Sequence, residues 1–180
     1  MAFSLGSGWD PILIGAWLAM LLAYLTTPSS NEIATFVDQV YGRYTSTNTD
    51  VQNKDRAVVY IHRELDRQIN KVRGILTFNG IFFVVARTYY HTAQDLTGEV
   101  IAVAAVFYLL ISIAVALVIF IVRWVHQPDY ADFQVELQSL ATVVRERTFW
   151  INYAAIMSLA SAVAVAILLI FRDQPMPPLS

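Results

Sequence analysis

The sequence predicts an all-α integral membrane protein with about four transmembrane helices and two amphipathic helices, which lead into the second and fourth spans. Three observations carry this. Of the 180 residues, 57% are hydrophobic and only 14% charged, against about 25% charged in an ordinary soluble domain. The mean hydropathy is +0.52, concentrated in long uncharged runs. The stretch from Arg56 to Tyr90 changes partway from a charged amphipathic pattern to an apolar one, with no proline between. The chain reads as one membrane domain over residues 1–180.

The first span is expected over residues 11–27. Pro11 suits a first helical turn and Asp10 an N-cap. Trp9 and Tyr24 stand near its ends, where interfacial aromatic residues belong. The first ten residues hold no Lys or Arg, and Ala23 only weakly imitates a cleavage site, so a retained helix is expected rather than a signal peptide.

Pro28 ends that helix. Ser29 and Glu32 form a capping-box pattern for a short helix over roughly Asn31 to Tyr44, with Ile33, Phe36, Val37, Val40 and Tyr44 on one face. Residues 45–50 read as a polar loop, and Asp50 or Asp55 as the next cap.

In the following helix Val58, His62, Leu65, Ile69, Val72 and Leu76 recur at 4-3-4-3-4 spacing. That is a narrow coiled-coil-type seam, and it places His62 against a partner. Residues 74–90 form the second span. The third covers 100–122, whose uncharged core of 22 residues reaches about 33 Å. Thr97 and Gly98 predict a loop before it. After Pro128, a second amphipathic helix over Tyr130 to Arg147 carries a matching seam of Phe133, Leu137, Leu140, Val144 and Ile151, with Arg147 filling its gap. The fourth span covers 149–171. The segments 28–73 and 124–148 are the expected cytoplasmic parts.

Basic residues set the orientation. Ten of the 12 Lys and Arg residues fall in Thr26–Arg73 and Arg123–Thr148. Both termini are therefore expected on the non-cytoplasmic side of a plasma membrane. The net charge of −2 favours no nucleic-acid partner; the expected partners are the lipid bilayer and further subunits, identical or not.

Signals for chemistry are sparse. The sequence has no phosphate-binding loop, nucleophile elbow or His-Glu-x-x-His pair. No catalytic residue, metal site or cofactor is predicted. His91, Asp95 and Glu99 share a helical spacing, but in a stretch that reads as a loop. The three histidines fall at different depths, so they supply no haem-ligand pair. Within the spans, Asn79 predicts a hydrogen bond to another helix, as glue or as a pore constriction. Ala154, Ser158, Ala162 and Ala166 form a small-residue stripe suited to close packing.

The segment ELDRQINKVRGILTFNGIFFVVA, followed by a further span, an amphipathic helix VVRERTFWINYA and a last span, resembles bacterial Pycsar transmembrane effectors over residues 55–171. The resemblance implies a non-enzymatic antiviral-defence effector of the bacterial inner membrane. Such an effector oligomerises and impairs the membrane on a cyclic pyrimidine mononucleotide signal. The first span is additional to that pattern. The longest expected water-side segment, Thr26–Arg73, has 48 residues, so the ligand would be held by basic residues such as Arg56, Arg63, Arg67 and Arg145 between the two amphipathic helices. The alternative expectation is an accessory or assembly subunit of a larger membrane complex, suggested by spans built for packing.

Overall fold

The computed structural model describes residues 10–42, 50–90, 96–121 and 133–170, with side chains described over 11–36, 59–87, 98–120 and 139–170. Five helices hold all of these but the turn at 26–29: α1 (Asp10–Leu25), α2 (Ser30–Gly42), α3 (Asp50–Tyr90), α4 (Leu96–Ile121) and α5 (Phe133–Ile170). Four stretches are long and apolar enough to cross a membrane: Pro11–Phe36, Val59–Arg87, Gly98–Phe120 and Ser139–Ile170. The described residues are thus all-helical apart from turns, with four stretches compatible with a multi-pass membrane protein.

α1 is the shortest of the apolar helices. Its 16 residues extend about 24 Å. The chain closes it with hydroxyl groups: Thr26 Oγ1 donates to Leu22 O (2.9 Å) and Thr27 Oγ1 to Ala23 O (2.7 Å). These bonds satisfy carbonyls that a helix end leaves without partners. The capping box opening α2 forms as expected. Glu32 N–H donates to Ser29 Oγ at 3.2 Å, and Ser29 N–H donates to Glu32 Oε2 at 2.9 Å.

α3 and α5 are single uninterrupted helices of 41 and 38 residues, each close to 60 Å long. α3 passes through Gly74 and α5 through Thr148 without a break. α3 begins at Asp50, so Asp55 lies inside the helix rather than at its start. α4 begins at Leu96, so Thr97 and Gly98, expected in a loop, belong to its first turn. His91 and Asp95 lie outside the described residues, as do Pro128 and Tyr130.

α3, α4 and α5 form the core. α3 and α5 run parallel and in direct contact, with α4 antiparallel against both, and α5 touches all four other helices. Three layers define the register. Ile61 meets Leu140 and Val144 at the polar end. Val72, Ala116, Ile119 and Ile151 pack together in the next layer. Ala86, Ala105 and Val165 close the far end. On α5, Leu140, Val144, Arg147, Ile151, Ala154, Ser158, Ser161, Val165 and Leu168 are all buried. This is an unbroken alternation of four and three, the spacing of knobs-into-holes packing. Ala102, Ala105, Leu109, Ser112, Ala116 and Ile119 repeat it on α4.

Two sequence expectations are corrected here. The α3 seam follows Ile61, Leu65, Gln68, Val72 and Asn79 rather than His62 and Ile69; His62 is exposed and Ile69 only half-buried, and the Val58 side chain lies outside the described residues. The stripe on α5 also leaves the interface, since Ala162 is only half-buried and Ala166 is exposed. Each step of four residues turns about 40° past a full helical turn, so a strict i, i+4 row drifts off a contact line of period 3.5.

α1 packs on the outside of this core. Ala19 and Ala23 contact Tyr153 and Met157 of α5. Tyr108 of α4 reaches across to donate its hydroxyl proton to Ile12 O at 3.1 Å. Gly15 makes room for it: a methyl group added there would overlap the Tyr108 hydroxyl and lie 3.2 Å from Cζ. The opposite face, with Leu13, Ile14, Trp17, Leu18 and Leu21, is exposed, as suits a helix facing lipid.

Candidate functional site

Two constellations stand out along the α3/α5 pair. The first lies midway through the apolar part. Asn79 is fully buried. Its Nδ2 donates to Ser112 Oγ at 2.8 Å, and its Oδ1 accepts from Ser158 Oγ at 2.7 Å. Ser112 Oγ in turn lies 2.7 Å from Ala154 O and 2.8 Å from Ser158 Oγ. One side chain from each of the three core helices closes the ring. Every polar side-chain atom of Asn79 finds a partner within one chain. Of the two expectations for Asn79, the geometry is that of helix-to-helix glue. Ala154 contributes through its backbone and Ser158 through its hydroxyl.

The second constellation lies at the polar end, where α2 leans on α3 and α5. Gln68 occupies the seam and is only 3% exposed. Its Nε2 donates to Thr148 Oγ1 (2.9 Å) and Val144 O (3.3 Å), whereas its Oε1 has no partner. Arg147, at the facing seam position of α5, is 8% exposed and its Nε is also without a hydrogen bond. A buried polar atom without a partner costs about 1–3 kcal/mol, so each marks a place where packing alone does not explain the residue.

Beside Gln68 opens a cavity of about 420 Å³. Ile33 and Phe36 of α2, Tyr60 and Ile61 of α3 and Val144 of α5 give it apolar walls, and Glu32, Glu64, Gln68 and Lys71 give it polar groups. Glu64 lies 3.4 Å from Arg67 and 3.9 Å from Lys71. All three of these side chains have water access, so each pair contributes little stability.

Of the four arginines expected around a ligand, the three with described side chains are not gathered here. Arg63 and Arg67 stand on the exposed side of α3, and the Arg56 side chain lies outside the described residues. Arg145 lines a different cavity of about 220 Å³, between α1 and α5, with Tyr24, Thr27, Glu146, Phe149 and Trp150. The sequence reading passes over Gln68, Glu64 and Lys71. The signal for Gln68 was the four-and-three spacing that links Ile61 and Leu65 to Val72 through it. Among the described residues no group of His, Asp and Glu is arranged to hold a metal ion.

The fold and these two constellations define a class, a helical chain with four candidate membrane spans and a buried polar layer. A narrower assignment by likeness is not on offer, because no family model, no curated protein and no solved structure matches this chain.

Proposed function

We propose that this chain is a non-enzymatic multi-pass protein of a bacterial inner membrane, with α3 and α5 rising together on the cytoplasmic side and both termini outside. Its role in this reading is that of a defence effector: a cyclic pyrimidine mononucleotide acts at the polar end, copies of the chain associate, and the membrane loses its barrier. The observation that supports it is the parallel α3/α5 pair. Two continuous helices join a polar-end cavity to the apolar layers, so an event at Gln68 has a stiff route to Asn79. The distribution of Lys and Arg supports the orientation.

The test is inducible expression in bacteria loaded with a membrane-potential dye. Depolarisation and growth arrest are expected on supply of a cyclic pyrimidine mononucleotide. An unchanged potential with every cyclic nucleotide would sink the effector reading.

A second reading, an accessory or assembly subunit, is favoured by a different observation. The polar ring around Asn79 is satisfied within one chain, and α1 leaves a broad apolar face uncovered. Purification in mild detergent separates the two. A homo-oligomer supports the effector, and stoichiometric recovery with unrelated subunits supports the accessory role.

A further inference from the structure

The side of the α3/α5 pair that faces away from α4 carries more than the polar-end cavity. A second cavity of about 390 Å³ lies along the same pair, lined by Lys71, Gly74, Ile75, Phe78, Ala155, Ser158 and Leu159. Lys71 borders both. On α3 the lining residues Tyr60, Glu64, Gln68, Lys71, Ile75 and Phe78 fall every three or four positions, so they form one stripe. The two cavities are therefore successive parts of a single groove, polar and roofed by α2 at one end, apolar and open at the other.

We propose that this groove binds one phospholipid whose headgroup carries both a phosphate and a primary ammonium, the phosphatidylethanolamine class. This rests on the membrane half of the reading above and not on the effector half. The chemistry of the lining selects the headgroup. The lining sets acceptors beside one cation: the Glu64 carboxylate borders the space, as does the Glu32 carboxylate, which also accepts from Ser29 N–H, and Gln68 keeps a buried Oε1 without a hydrogen bond. Lys71 is the one ammonium among the cavity's described residues. Its contact with Glu64, at 3.9 Å, is long enough to be shared with an arriving anion. A phosphate meets Lys71, and a primary ammonium donates to the partly exposed Glu64 carboxylate. A quaternary choline has no N–H for Glu64, and a glycerol headgroup brings no positive charge for the two carboxylates.

The apolar end accommodates an acyl chain. A Cβ added at Gly74 would meet no protein atom within 4 Å. The glycine is therefore not required by packing against a neighbouring helix. It leaves the groove open beside Phe78 and Leu159, where a chain descending from Lys71 would lie.

The experiment titrates the full-length chain, purified in mild detergent, with dioleoyl phosphatidylethanolamine, phosphatidylcholine or phosphatidylglycerol and counts bound lipids by native mass spectrometry. Phosphatidylethanolamine is expected to bind about tenfold more tightly than the other two. Gly74→Leu should abolish that preference while leaving the thermal midpoint in lipid-free detergent unchanged; Ala155→Leu, from the facing wall, serves should Gly74→Leu fail to fold. Glu64→Gln should reduce the preference over phosphatidylcholine several-fold. Equal binding of the three lipids, a preference for phosphatidylglycerol, or unaltered binding by both groove-filling variants overturns the proposal. Alkaline carbonate extraction of native membranes separates the two levels of inference. Release of the chain would refute the membrane reading itself; retention with no lipid preference refutes only the groove.

Discussion

Asn79 and Ser158 are separated by 79 residues of chain and joined by a hydrogen bond of 2.7 Å. The same offset relates Ile61 to Leu140, Val72 to Ile151 and Ala86 to Val165, pairs that share their respective layers. α3 and α5 are thus in register from the polar end to the far end, and the polar ring stands at one rung of a regular ladder.

A double-mutant cycle on Asn79→Ala and Ser158→Ala is expected to give a coupling of about 0.5–1.5 kcal/mol in reversible unfolding from detergent, the range seen for hydrogen bonds between membrane helices. Simple additivity of the two variants would show that the bond contributes nothing specific.

The register is open to a direct chemical check, because the chain has no cysteines. Ile61→Cys combined with Leu140→Cys is expected to form a disulfide on mild oxidation. His62→Cys with Leu140→Cys is expected to remain reduced, since His62 is turned outward. The opposite pattern would restore the seam that the sequence suggests.

Gly15 and Tyr108 form a knob and its socket. Gly15→Val should displace the Tyr108 ring, break its bond to Ile12 O and loosen α1 from α5. The loss, read as faster proteolysis of the α1–α2 turn, is expected to be relieved by adding Tyr108→Leu. Failure of that second change to restore protection would place the cause elsewhere.

Arg147 carries a charge at a buried seam position without an ion pair among the described residues. Replacement of such a charge by an apolar side chain of similar length is often neutral or stabilising. Arg147→Met is therefore expected to leave the thermal midpoint unchanged or raise it. A drop of several degrees would reveal a compensating carboxylate.

Topology follows from single cysteines placed in the same cysteine-free chain. Arg67→Cys, whose parent side chain is 69% exposed, should react with an impermeant maleimide only after the inner face of the membrane is opened. Ser180→Cys should react in intact spheroplasts. Reversed labelling would invert the orientation.

The parts of the fold that hydropathy controls directly were readable in advance. The apolar runs, the turn at Pro28 and the Ser29–Glu32 cap depend on neighbours in sequence. The seam register did not, for a physical reason. Ile61 and His62 are adjacent, both fit a four-and-three pattern through Leu65 and Val72, and the choice between them is made by α5. Gln68 reads as a surface residue until Val144 and Thr148 supply acceptors for its amide. Lys71 and Glu64 read as ordinary solvated charges, and only the placement of α2 brings them to a common cavity. Arg145 illustrates the reverse: its charge was legible, its location beside α1 was not.

The constant offset between α3 and α5 has a consequence for how this chain can change length. A single residue inserted into one helix would turn every following seam position by about 100° and cast Asn79 or Ser158 out of the core. Seven residues removed from both helices between the Ile61–Leu140 and Val72–Ile151 rungs would leave all the remaining rungs facing one another. Between their outermost rungs the two helices can grow or shrink only together and in whole heptads, so that length behaves as one inherited quantity rather than two.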